Sequence, residues 1–178
     1  MIDFLAYDIA DHVLHGTIEF QGDRLADVLA SRSSIEVEGL RVRSLMRSEV
    51  HRPASRIVGL DDLCVVVATG PSGSQYRRIA TIFCPVTIHV GPYMVHGYLH
   101  GAPPESPLKT AERRSWLALT EAVLEYTHHW QAIRERHDVL LVNRLQAKAL
   151  IVTDEGSHEA RWLAGKAPIN WPATRDDL

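Results

Sequence analysis

Two cysteines in 178 residues cannot make the disulfide framework of a small secreted fold. Cys64, in Leu63-Cys64-Val65-Val66-Val67, and Cys84, in Ile82-Phe83-Cys84-Pro85-Val86, read instead as small buried hydrophobes of strands. No run approaches the roughly 20 apolar residues that span a bilayer. The longest, Ile79 to Ile88, contains Thr81, Pro85 and Thr87 and reads as a strand. Asp3 and Asp8 stand where a secretory leader carries basic residues, so the expectation is a reduced, cytoplasmic chain with no membrane partner.

Catalytic spacing is missing as well. There is no phosphate loop of the G-x-x-x-x-G-K-(S/T) kind, no G-x-G-x-x-G and no H-E-x-x-H. Ser72, in Gly70-Pro71-Ser72-Gly73-Ser74, is not the nucleophile of a G-x-S-x-G elbow, and that stretch reads as a turn. Neither cysteine has a charge beside it that would hold a thiolate. Asp61-Asp62 would point to opposite faces of a strand, so a turn before Leu63 accounts for them better than a carboxylate pair. These absences point away from an enzyme, and no cofactor is implied.

What is present is average globular composition: 46% hydrophobic residues, 23% charged, and a net charge of −3. Such a chain is a poor general binder of nucleic acid. The length allows one domain or two very small ones. Sliding the sequence on itself at an offset of 81 places His15-Gly16 over His96-Gly97, Val42 over Val123 and Val58-Gly59-Leu60 over Val139-Leu140-Leu141. Residues 15–69 then give nine identities in 55 pairs, where composition alone would give about three.

Local patterns supply the elements. Leu25, Val28 and Leu29 mark a short helix beginning at Asp23. Ile35-Glu36-Val37-Glu38 alternates with period two, and after Gly39 the phase flips to Leu40 and Val42, the signature of a β-bulge. Trp116 to Tyr126 has the same disturbed alternation. Gly91-Pro92 marks the passage between the copies, and Pro103, Pro104 and Pro107 exclude a helix before Leu108. The tail carries one short helix around residues 159–164, with Trp162 docking it, followed by an extended end. The chain is therefore expected to be mainly β, with two related small barrel-like or open-barrel halves packed as one unit. They comprise residues 12–90 and 91–154, followed by a tail from 155 to 178.

Part of this pattern resembles an uncharacterised bacterial small β-barrel domain of unknown function, here possessing two copies in tandem. The matching residues are Gly16, Arg24, Leu25, Asp27 and Leu29 in the first half. In the second they are Leu117, Leu119, Thr120, Glu121, Ala122 and Leu141-Val142-Asn143-Arg144. The resemblance implies a fold and no activity.

Two groups of residues could carry function. Arg41, Arg43, Arg47, Arg52 and Arg56 against Glu49 give +4 over residues 41–56, with Arg41 and Arg43 on one strand face. That face suits an acidic protein partner, and the leading expectation is a non-enzymatic binding or assembly module. Its bland counterpart is a solvated face paired with Glu36, Glu38, Asp61 and Asp62. An RNA or single-strand binding barrel is a weaker alternative, because no aromatic residue interleaves the arginines to stack on bases. Exposed strand edges would also allow self-association into a homo-oligomer. The second group is the histidines. His96 and His100 share a strand face about 13 Å apart by strand rise, and His128-His129 sits in a connection. A metal-dependent enzyme built on them needs three or four converging ligands.

Overall fold

A computed structural model describes residues 1–19, 24–47, 49–69 and 82–153 and the short strand at 169–170. The chain is mainly β. In order it forms β1 (Ile2–Asp8), β2 (His12–Ile18), α1 (Leu25–Ser31), β3 (Ser34–Glu36), β4 (Glu38–Ser44), β5 (Val50–His51), β6 (Ile57–Gly59) and β7 (Leu63–Val67). Then follow β8 (Ile82–Val90), β9 (Tyr93–Gly101), α2 (Pro107–Glu112), β10 (Trp116–His128), β11 (Gln131–Asn143), a 3-10 turn (Arg144–Gln146), β12 (Ala147–Val152) and β13 (Ile169–Asn170). Eleven strands make one sheet in the order β13-β12-β8-β9-β10-β11-β7-β1-β2-β4-β5, and β3 pairs with β6 in a separate ribbon.

Strand alternation gives this sheet two apolar faces. One row runs across the strands through Val13, Tyr7, Val65, Val142 and Leu117. These residues join Val86, Ile88, Val95 and Leu150 in the larger core. The next row, Leu14, Ala6, Val66 and Leu141, packs with Leu25 and Leu29 of α1 in the smaller core on the opposite face. The sheet rolls over the larger core. Tyr7 on β1 meets the rings of Tyr93 on β9 and Tyr126 on β10, each at 5.6 Å between centroids. A Cβ on Gly91 would lie 2.6 Å from Cys64 Sγ, so the β8–β9 turn closes tightly onto β7.

The roll does not become a closed barrel, because β13 and β5 end the sheet without pairing with each other. Nor do two separate barrels form. Leu140, Leu141 and Val142 of β11 pair with Val67, Val66 and Val65 of β7, and this seam makes the sheet continuous. On either side of the seam the order is the same: β7-β1-β2-β4-β5 and β12-β8-β9-β10-β11. In each set the last strand lies beside the first.

The bulge expected at Gly39 is present, with φ +63° and a register shift between β2 and β4. A second lies between β9 and β10 at Glu121, φ +48°. The surroundings correspond closely. A Cβ on Gly16 would meet Val37, the Glu38 carbonyl and the Leu40 Cα; on Gly97 it would meet Leu119, the Thr120 carbonyl and the Ala122 Cα. Each contact residue of the second set follows its counterpart by 82 residues.

Several local expectations change. Arg24, with no side-chain capping bond, precedes α1, and Asp23 lies outside the described residues. Pro107 takes the first position of α2, where its missing N–H costs nothing, and the Ser106 hydroxyl accepts from Lys109 N–H. Gly91-Pro92 is the tight turn of the β8–β9 hairpin, so the expected boundary between residues 90 and 91 falls inside a supersecondary unit. Asp61 and Asp62 do occupy a turn, closed by Leu63 N–H on the Leu60 carbonyl. The Gly70–Ser74 turn and the tail helix at 159–164 lie outside the described residues.

Candidate functional site

The arginines divide. Arg41, Arg52 and Arg56 line one depression of about 370 Å³, together with Gly39, Leu40, Pro53 and Ala54. Its origin is local. The β4–β5 ladder pairs Arg43 with Val50 and Val42 with His51, then stops. Two residues on stands Pro53, which has no N–H to continue a ladder. The chain rejoins its neighbour only where Val37 N–H donates to the Arg56 carbonyl at 2.7 Å. Residues 52–56 therefore bow off the β4 edge, and the depression is the gap between them. All five arginines of the stretch are exposed. Among the described residues, none of Arg41, Arg52 and Arg56 forms an ion pair, so the expected neutralisation by Glu36, Glu38, Asp61 and Asp62 does not occur.

Arg43 and Arg47 do not line this gap. Arg47 lies in the turn after β4, its N–H bonded to the Ser44 hydroxyl. Arg43 is close enough to Tyr7, Tyr126 and His128 to act on their ionisation. At the centre of that cluster Glu135 accepts hydrogen bonds from Tyr7 Oη at 2.8 Å and Tyr126 Oη at 2.5 Å, with His137 Nε2 3.5 Å away. Burial pushes the Glu135 carboxyl up, but the two phenol bonds and His137 outweigh it and hold it below its ordinary value. Burial and the carboxylate together push both phenols well above theirs. Tyr126 and Glu135 are diagonal neighbours across the β10–β11 hairpin, whereas Tyr7 of β1 joins them only through the roll of the sheet, of which the sequence gives no sign.

The four histidines proposed as ligands are not brought together. His96 Nδ1 lies 2.8 Å from Thr87 Oγ1, and its Nε2 lies 3.5 Å from Glu125, which pairs with Arg134 Nε at 3.0 Å. His100 Nε2 lies 2.7 Å from Thr120 Oγ1. His128 and His129 stack edge to face at the β10–β11 turn, 4.3 Å between centroids. Among the described residues no three side chains of His, Cys, Asp or Glu are grouped as a metal requires. Burial pushes the Cys64 thiol up to about 12, which makes it inert at neutral pH.

No sequence pattern singles out Trp130. It stands 85% exposed beside His129 at a two-residue turn in which both have positive φ, +66° and +46°. Such a turn favours Asn or Gly.

Comparison with protein families, with curated proteins and with solved structures finds no match to this chain. Among the described residues no helix is long and apolar enough to cross a membrane.

Proposed function

We propose that the protein is a non-enzymatic binding module whose contact site for an acidic partner is the depression between β4 and residues 52–56. The observation that carries this is the convergence of Arg41, Arg52 and Arg56 on one concavity with no acidic side chain neutralising them among the described residues. Three guanidinium groups held near each other repel, and an anion between them removes that repulsion while gaining charge-assisted hydrogen bonds. The volume lies at the lower end of that of ligand sites. No aromatic side chain lines it, so the stacking on which single-strand binding relies has no platform.

The architecture behind this site is read as two copies of one five-stranded unit sharing a single open, rolled sheet. Supporting it are the common strand order on both sides of the seam and the matched surroundings of Gly16 and Gly97. The division falls ahead of β8. Cytoplasmic location and self-association remain parts of the proposal.

Charge reversal tests the site. The Arg52→Glu, Arg56→Glu double variant should lose oligoglutamate binding measured by fluorescence anisotropy at low salt, while Arg136→Glu, an exposed arginine on β11, should retain it. Equal loss in both variants would reduce the effect to net charge.

A further inference from the structure

Resting on the reading of the depression as an anion site, we propose that its occupant is an extended acidic peptide segment added as a strand to the unpaired stretch Glu38–Arg41 of β4, within the gap left by residues 52–56. Three observations converge on that mode. First, on the side away from β2, β4 is paired only at Val42 and Arg43. Ser44 N–H donates to the Glu49 carbonyl on this side, and strand polarity alternates with period two. Leu40 therefore aims its own N–H and carbonyl into the gap, where no strand meets them.

Second, the corresponding edge of β10 is used in this way. Ala122, 82 residues beyond Leu40, pairs with His137, and the β10–β11 ladder runs past the Glu121 bulge without a change of register. An incoming segment would take against β4 the place that β11 takes against β10. The four residues Glu38–Arg41, left without a neighbour on this side, span about 10 Å from first to last Cα by strand rise.

Third, the side chains define a pattern for the guest. Residues opposite one another on neighbouring strands share a face. The guest residue facing Arg41 should therefore be acidic, with Arg52 and Arg56 beside it, while the residue facing the buried Leu40 should be small and apolar. Backbone groups supply affinity and alternate side chains supply selection, as in other strand additions. A nucleic acid would satisfy the arginines but has no peptide group to offer Leu40.

The experiment uses the full chain and a fluorescent, capped Glu-Val-Glu-Val-Glu peptide, followed by anisotropy. It is compared with the same peptide N-methylated at its central amides and with an oligouridylate of equal charge. The expected result is binding of the unmodified peptide, at least about tenfold weaker binding after N-methylation, and slowed hydrogen exchange at Leu40 N–H in the complex. Arg56→Ala should weaken the unmodified peptide about five- to tenfold, and Arg136→Ala should not. If both peptides bind equally and both need Arg56, the anion site stands and strand addition is overturned. If only the oligouridylate binds in an Arg56-dependent way, the partner class is overturned. If nothing binds, the anion site itself fails.

Discussion

The β10–β11 hairpin and its counterpart on the other side of the seam start from the same plan and end differently. From Trp116 opposite Asn143 to His128 opposite Gln131, β10 and β11 hold one register over thirteen-residue strands. The matching stretch of the first side is cut into β3 and β4 facing β6 and β5, with residues 52–56 bowed off between them. Conserved geometry lies at the bulges and at Gly16 and Gly97, where the backbone crossing leaves no room for a Cβ. The divergence lies where Pro53 ends a ladder and three arginines collect. In one region the ladder is continuous, and in the other the β4–β5 ladder stops after Val42 and Arg43.

The largest expected effect breaks the scaffold. Gly16→Ala puts a Cβ 2.5 Å from Val37 Cγ1 and 2.7 Å from the Glu38 carbonyl, and should destabilise by about 3 kcal/mol or more. Gly97→Ala, with nearest atoms at 3.0 and 3.1 Å, should cost about half as much in urea denaturation. No cost at either glycine, or a larger cost at Gly97 than at Gly16, would contradict this reading of the two close approaches.

Next comes the tyrosine–carboxylate cluster, which ties β1 to the β10–β11 hairpin. Tyr7→Phe and Tyr126→Phe each remove a hydrogen bond to Glu135 and should cost about 1.5 kcal/mol. Because the Glu135 carboxyl sits below its ordinary 4.5, the stability it contributes is present above that value and fades as pH falls through and below it. Both phenols sit above their ordinary 10.0, so their contribution is present below pH 10 and fades as pH rises beyond it. The phenylalanine variants should therefore show less alkaline loss of stability than the wild type.

The bulges give a smaller and signed pair. Gly39→Ala forces a side chain into positive φ with nothing else in its way and should cost about 1 kcal/mol. Glu121→Gly relieves the same strain and should be stabilising by up to about 1 kcal/mol in thermal melts. The smallest effect concerns the site. Arg52→Ala with Arg56→Ala should leave stability within about 0.5 kcal/mol, since neither side chain has an ion-pair partner to lose among the described residues.

Much of the scaffold was legible in the sequence because it is written in short periods. The flip of phase after Gly39 located a bulge, and the repeat put Gly16 over Gly97, although only the structure shows that both are sites of close backbone approach. The offset of 82 seen in the structure after Gly16 and Gly97 means that the Val42–Val123 identity found at offset 81 joins positions that do not correspond. Past the crossing, Ile35, Val37, Leu40 and Val42 fall on Leu117, Leu119, Ala122 and Leu124 only at the longer offset. The seam was not legible, since Val65–Val67 and Leu140–Val142 are ordinary apolar runs whose pairing depends on the whole sheet. Arg41 and Arg43 show the same limit. They share a strand face, yet the roll of the sheet carries Arg43 toward Tyr126 while Arg41 stays at the gap. The histidines looked like ligands because spacing says nothing of Thr87 and Thr120, the hydroxyls that engage His96 and His100.

The most direct measurement is a titration of isotope-labelled full-length protein with the capped acidic peptide, followed by backbone amide shifts. The account predicts saturable shifts centred on Gly39, Leu40 and Arg41 and on Arg52, Ala54 and Arg56, with the β10–β11 ladder unmoved. Shifts centred instead on the exposed hairpin tip at Trp130, or spread evenly over every arginine, would contradict it.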